Sequence, residues 1–231
     1  MSPLTLSPSS RRAFDRMAAD CQRVFADRFD AVVAYDPHRS VVFAKSVSAA
    51  DLDALAPLVE IWHRDGVRTP LVMTRAEFHR SLDAFPLEYQ AIVNRHLLIA
   101  GADPFGQIAI APEDLRRACE VQAKAHLIHL RQGWLEAAGH EHDLAELIEE
   151  SAAPWRVLLE NVARLRGLEL SDPPRLAAWA ATVTGMPEDL ARALLETSDD
   201  HNSRAAKLIP RLPEYVAAAE HLWAAIDSWR A

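Results

Sequence analysis

Glycine is scarce in this chain: there are seven in 231 residues. Loops that wrap phosphates in bare backbone need clustered glycines, and no Walker A or dinucleotide-binding glycine pattern occurs. Cysteine is scarcer still. Cys21 and Cys119 are the only two, and both fall inside amphipathic helical patterns. A disulfide framework is therefore not expected, and the usage fits a reducing cytoplasm. No apolar run approaches the roughly 20 residues that a membrane span requires. The opening stretch, MSPLTLSPSSRR, lacks the apolar core of a signal peptide. Positive charge is in deficit, with 25 Lys and Arg against 33 Asp and Glu and a net charge of −8. That balance argues against general nucleic-acid binding, which usually carries a basic excess. Nucleophile elbows and triad signatures are absent as well. These absences point to a cytoplasmic protein with no membrane partner.

What remains is an ordinary globular balance, 50% hydrophobic and 25% charged, with enough length for a sizeable core. Its richness in alanine and arginine suggests a high-GC bacterial source. Residues 1–9 are rich in Ser and Pro. Ser9 or Ser10 can cap a helix over 11–28, whose apolar face is Phe14, Met17, Cys21, Val24 and Phe25. The β-branched runs 30–36 and 40–47 read as two strands, and the short connection between them predicts an antiparallel hairpin. A helix over 49–64 follows, capped by Ser48 and closed by Gly66. Residues 69–74 and 96–101 read as further strands, and 107–110 as a short fifth one. Short helices fall at 75–82 and 87–93.

From Pro112 the pattern is helical. A long helix spans 112–138, and a second spans 143–166 with Pro154 inside it. Three more fall at 175–184, 187–198 and 213–230, separated by breaks at 198–203 and at Leu212–Pro213. The expected organisation is an α/β (α+β) domain over 10–111, with a small mixed sheet and flanking helices, then an all-α helical bundle over 112–231.

The segments PLVMTRAEFHRSLDAFPLEYQAI from Pro70, HLLIAGADPF from His96, PEDLRR from Pro112 and LRQGWL from Leu130 resemble a bacterial family of nucleotidyltransferase-like proteins. In that family a small nucleotidyltransferase domain precedes a helical bundle. The resemblance covers residues 10–166, and the remainder more loosely. It implies a particular site in active members: a Gly-Ser turn after a strand, for the triphosphate, and alternate acids on the next strand for Mg²⁺, completed by a third carboxylate. This chain departs from that pattern. Asp36-Pro37-His38-Arg39 stands where Gly-Ser would be, and Lys45 is the only ionisable residue in 40–47. The expectation is a nucleotidyltransferase-like fold with a degenerate active site and no catalytic residues.

Candidate ligand-binding residues are then Asp36, His38, Arg39 and Lys45 near the former active-site edge, and Arg131 on the long helix. Arg and Lys can hold phosphate without a metal. Asp30 and Asp36 share a strand face but lie about 20 Å apart by strand rise, too far for one ion. They read as strand-end turn acids. His126 and His129 face one way on the helix, and Gly133 shares that face. With His140 and His142 they suggest zinc. However, His129 and His140 are roughly 16 Å apart by helix rise, which favours packing and capping roles instead. Trp62, Trp134, Trp155, Trp179, Trp223 and Trp229 fall at apolar helical positions and read as packing.

Three functions stay open. The first is a nucleotide- or small-ligand-binding or regulatory module without metal-dependent catalysis. The second is an active nucleotidyltransferase moving a nucleoside monophosphate onto a small molecule or protein. It would need Mg²⁺, a nucleoside triphosphate and convergent acids, with Asp36 plus an acid from 113–120 as the candidates. The third is an interaction protein that forms a homodimer through its bundle.

Overall fold

Pro8 sets the start of the first helix. The structure, a computed structural model, describes residues 4–106, 108–170, 172–197 and 204–229. Helix α1 is Pro8–Phe25, and its cap is Ser7 rather than Ser9 or Ser10: the Ser7 Oγ accepts the Ser10 N–H at 3.1 Å. A proline in the first turn has no N–H to leave unsatisfied, so the helix begins there. Strand β1 (Phe29–Ala34) and strand β2 (Ser40–Ala44) form the expected antiparallel hairpin, with Val32 opposite Val42.

The helix expected over 49–64 is two helices, α2 (Ala49–Leu55) and α3 (Val59–Arg64), joined by a 3-10 turn at Ala56–Leu58. Pro57 lacks the N–H that would carry the α-helical ladder through. Ser48 and Asp51 form a capping box at the start of α2. The Asp51 carboxylate is also gripped by Arg28 at 2.8 and 2.6 Å, which holds it well below the usual carboxylate range. Strand β3 (Leu71–Met73), helix α4 (Arg75–Arg80), helix α5 (Pro86–Asn94) and strand β4 (Leu97–Gly101) follow.

The sheet order is β3-β2-β1-β4. β3 runs parallel to β2, as the long crossover through α2 and α3 requires, and β4 runs antiparallel to β1. Among the described residues the fifth strand does not form. Residues 108–110 carry no strand, and Gln107 lies outside the described residues. Ile108 N–H instead closes a turn onto Phe105 O at 2.7 Å, and Ile108 and Ile110 pack on the core.

Side-chain alternation gives this sheet two apolar faces. Val32, Ala34, Val42 and Ala44 pack on α1, with Leu55 and Trp62 from α2 and α3. Ala31, Val33, Val41 and Phe43 face the other way, onto Phe78 of α4 and Tyr89 and Ile92 of α5. Phe78 stacks on Tyr89 at 4.3 Å and meets Phe43 edge-on at 5.7 Å.

Residues 111–231 form a second compact unit, distinct from 1–110. Its elements are α6 (Pro112–Glu136), α7 (Glu141–Leu165), α8 (Pro173–Thr184), α9 (Glu188–Thr197), α10 (Ala205–Leu208) and α11 (Leu212–Ser228). α10 was not legible in the sequence, being a single turn. The expected break over 198–203 lies outside the described residues. α7 passes through Pro154 as one helix. The protein is thus α+β: a four-stranded mixed sheet with flanking helices, followed by a helical region. Among the described residues no helix is long and apolar enough to cross a membrane.

Gly101 is where the sheet tolerates least change. Its φ is +83°, and a Cβ there would overlap the Asp30 carbonyl oxygen and lie 2.8 Å from the Ala31 Cα. Gly139 has a similar φ of +87°, but the space that a methyl group would take is open, so only conformational strain applies. Gly101→Ala is expected to cost about 3 kcal/mol or more, and Gly139→Ala about 1 kcal/mol, in urea unfolding.

Candidate functional site

The β1–β2 turn is built from polar contacts rather than glycines. The Asp36 Oδ1 accepts the His38 N–H at 3.0 Å, an Asx turn that fixes the chain reversal. Tyr35 N–H donates to Arg39 O at 3.1 Å. Burial pushes the Tyr35 phenol up, and the neighbouring Arg39 guanidinium partly opposes that.

His38 turns toward the loop after α3. Its Nδ1 lies 2.7 Å from Gly66 O, and since a carbonyl only accepts, Nδ1 carries the proton. Arg68 N–H donates back to His38 O at 2.7 Å. His63 Nε2 sits 3.0 Å from Thr69 Oγ1. His38, His63, Gly66, Val67, Arg68 and Thr69 line an open concavity of about 700 Å³. Its ionisable liners are two histidines and an arginine, with no acid among the described residues.

The strand acids are accounted for elsewhere. All five residues of β2 are buried, and none is acidic. Asp30, at the irregular start of β1, is held bidentately by Arg75, whose Nη2 reaches Oδ1 at 2.7 Å and whose Nε reaches Oδ2. Arg75 also donates to Ala102 O and Asp103 O, both at 3.1 Å. Asp30 therefore locks β1, α4 and the loop after β4 together. The expected basic group of His38, Arg39 and Lys45 is not one group. Lys45 follows β2 at the end opposite Arg39, about 20 Å away by strand rise, and its Nζ donates to Asp27 O at 2.8 Å.

In the helical unit, Arg131 pairs with Glu220 at 3.1 Å, both half-exposed. Gly133 allows α7 to approach α6: a Cβ there would collide with the Leu147 Cδ1. Beside it lies a cleft of about 480 Å³ between α6 and α7, with His126, His129, Glu136, Glu150 and Ser151 among its walls. His126 is buried at its inner side. The ring stacks on Trp155 at 5.2 Å, and Nε2 lies 2.9 Å from Tyr215 Oη. Tyr215 O–H in turn faces Ser151 O at 3.4 Å. Burial pulls the His126 imidazole down to about 4, with His129 adding to the effect.

The second histidine pair does not join the first. His142, Asp143 and Glu146 bring their ligand atoms within 4.8 Å of one another at the exposed start of α7, and no such group among the described residues includes His126 or His129. Both cysteines are buried, and burial pushes each thiol up to about 12, so neither is a nucleophile near neutral pH.

Comparison with models of known protein families, with characterised proteins and with solved structures gave no match to this chain. His63 and Arg68 escaped sequence reasoning because only the turn at Gly66 brings them to His38. Glu136 and Glu150 escaped it because each is an unremarkable helix acid until α6 and α7 are paired.

The buried imidazole gives a pH signature. Its ordinary value of 6.5 applies to the unfolded chain, while the folded chain keeps it neutral down to about 4. Its contribution is complete above pH 6.5 and is lost as the pH falls toward 4, by about 3 kcal/mol in all. His126→Phe removes that part of the slope, which urea unfolding at pH 4.5 and pH 7 measures.

Proposed function

We propose that this chain is a nucleotidyltransferase-like protein without metal-dependent transfer, acting as a binding module for a phosphate-bearing small molecule. The observation that carries this reading is the concavity at the turn end of the sheet. Its ionisable liners are His38, His63 and Arg68. Arg68 has no ion-pair partner among the described residues, so its guanidinium is free to take two phosphate oxygens. Each histidine keeps one ring nitrogen beyond its bond to Gly66 O or Thr69 Oγ1.

The active-transferase alternative needs two carboxylates converging on one metal. Asp30 is bound to Arg75, Asp36 serves its own turn, and Glu113 and Glu120 both pair with Arg116. These engagements favour binding over transfer. The expected result is a thermal shift with AMP or ATP that does not require Mg²⁺, and a loss of at least tenfold in affinity for Arg68→Glu. A shift that appears only with Mg²⁺ would restore the transferase reading.

One observation favours the homodimer as a second reading. Val121, Ile128 and Leu135 are 64, 43 and 80% exposed and recur every seven residues along α6. Ile128 lies midway, so an antiparallel pair of α6 helices about a two-fold axis sets Val121 against Leu135 of a second copy. Sedimentation would then show a dimer that Ile128→Glu dissociates. A wild-type chain that stays monomeric over a roughly 100-fold range of concentration would sink this reading.

A further inference from the structure

The cleft between α6 and α7 has a chemistry opposite to that of the sheet-end concavity. No Lys or Arg lines it, whereas Glu136 and Glu150 do. Neither carboxylate has a basic partner among the described residues. Glu136 is also the last residue of α6, whose final turn holds no basic side chain. The negative pole of the helix therefore adds to the carboxylate instead of offsetting it. Across the cleft, Pro154 has no N–H to give the Glu150 carbonyl one turn earlier.

The inner wall supplies acceptors too. His126 is 8% exposed and lines the cleft. The Tyr215 hydroxyl lies 2.9 Å from His126 Nε2 and 3.4 Å from Ser151 O, and its single proton serves one of the two. The other ring nitrogen of His126, Nδ1, has no hydrogen-bond partner among the described residues. The Ser151 Oγ gives its own proton to Ile148 O at 3.1 Å and retains lone pairs. Leu130, Leu147 and Pro154 add apolar wall, and His129, Gln132 and Gly133 complete the lining.

We propose that this cleft binds a small organic cation, a primary amine carried on an apolar body. An ammonium offers three N–H donors and a positive charge to a site that presents acceptors and unpaired carboxylates. Burial of an apolar body against the leucines supplies the remaining affinity. A bare metal ion fits less well, because among the described residues the metal-capable side chains that converge within 4.8 Å are His142, Asp143 and Glu146, and none of them lines the cleft.

The test is calorimetric titration of the full chain with phenethylamine, with 2-phenylethanol as the uncharged control of similar shape. The amine is expected to bind at least tenfold more tightly than the alcohol. Glu150 is exposed, so Glu150→Gln keeps the fold, and it is expected to weaken amine binding at least tenfold while leaving AMP binding unchanged. Equal binding of amine and alcohol, no binding of the amine, or an unaltered affinity in Glu150→Gln would each overturn the proposal. Because AMP is followed in the same variant, loss of this site is distinguishable from loss of the sheet-end site.

Discussion

Burial of β1 and β2 on both faces is the constraint on which the first unit depends. Ala31 to Ala34 and Ser40 to Ala44 are all within about one per cent of full burial. A carboxylate at any of these positions would lose its hydration without a counter-ion, at a cost of several kcal/mol. The middle of β2, enclosed on both faces, accordingly carries no acid. The acid that the sheet does hold, Asp30, lies at the irregular end of β1, where Arg75 reaches it. There it acts as a clamp, and Gly101 lets β4 come close enough for Arg75 to reach the carbonyls of Ala102 and Asp103 as well.

That same constraint made much of the sheet legible from sequence. Two continuous apolar runs separated by Asp36-Pro37-His38-Arg39 read as a buried hairpin because few other arrangements bury both. The helix starts at Ser48 and Pro112 were visible through local capping chemistry. Errors fell where local signals compete. Ser7, Ser9 and Ser10 are all competent caps, and Pro8 decided among them. Pro57 split a helix whose apolar face continues on both sides. At 108–110 a β-branched pattern met a loop whose isoleucines had a core to fill, and burial prevailed over strand pairing.

The candidate sites were less legible, for a reason of distance in the chain. His38 met Gly66 and Arg68 only through the crossover between β2 and β3, and His126 met Tyr215 across 89 residues. Sequence spacing grouped Lys45 with His38 and Arg39 because they are near in number. Extended backbone separates them, since a strand advances about 3.3 Å per residue. The face of α6 that carries His126, His129 and Gly133 was visible from helical periodicity, but its chemistry depends on the acids and the proline brought up by α7.

The polar chain from His126 through Tyr215 to Ser151 illustrates how a helical core can be specified without a charge. Replacing one member leaves another buried group without its partner, at about 1–3 kcal/mol. Burial keeps the imidazole neutral, so the charge that faces the cleft comes from Glu136, from Glu150 and from the end of α6. The sheet-end concavity, with Arg68 and two histidines, has the reverse sign. The two units therefore present linings of opposite charge, and it is on this difference that the two proposed ligand classes rest.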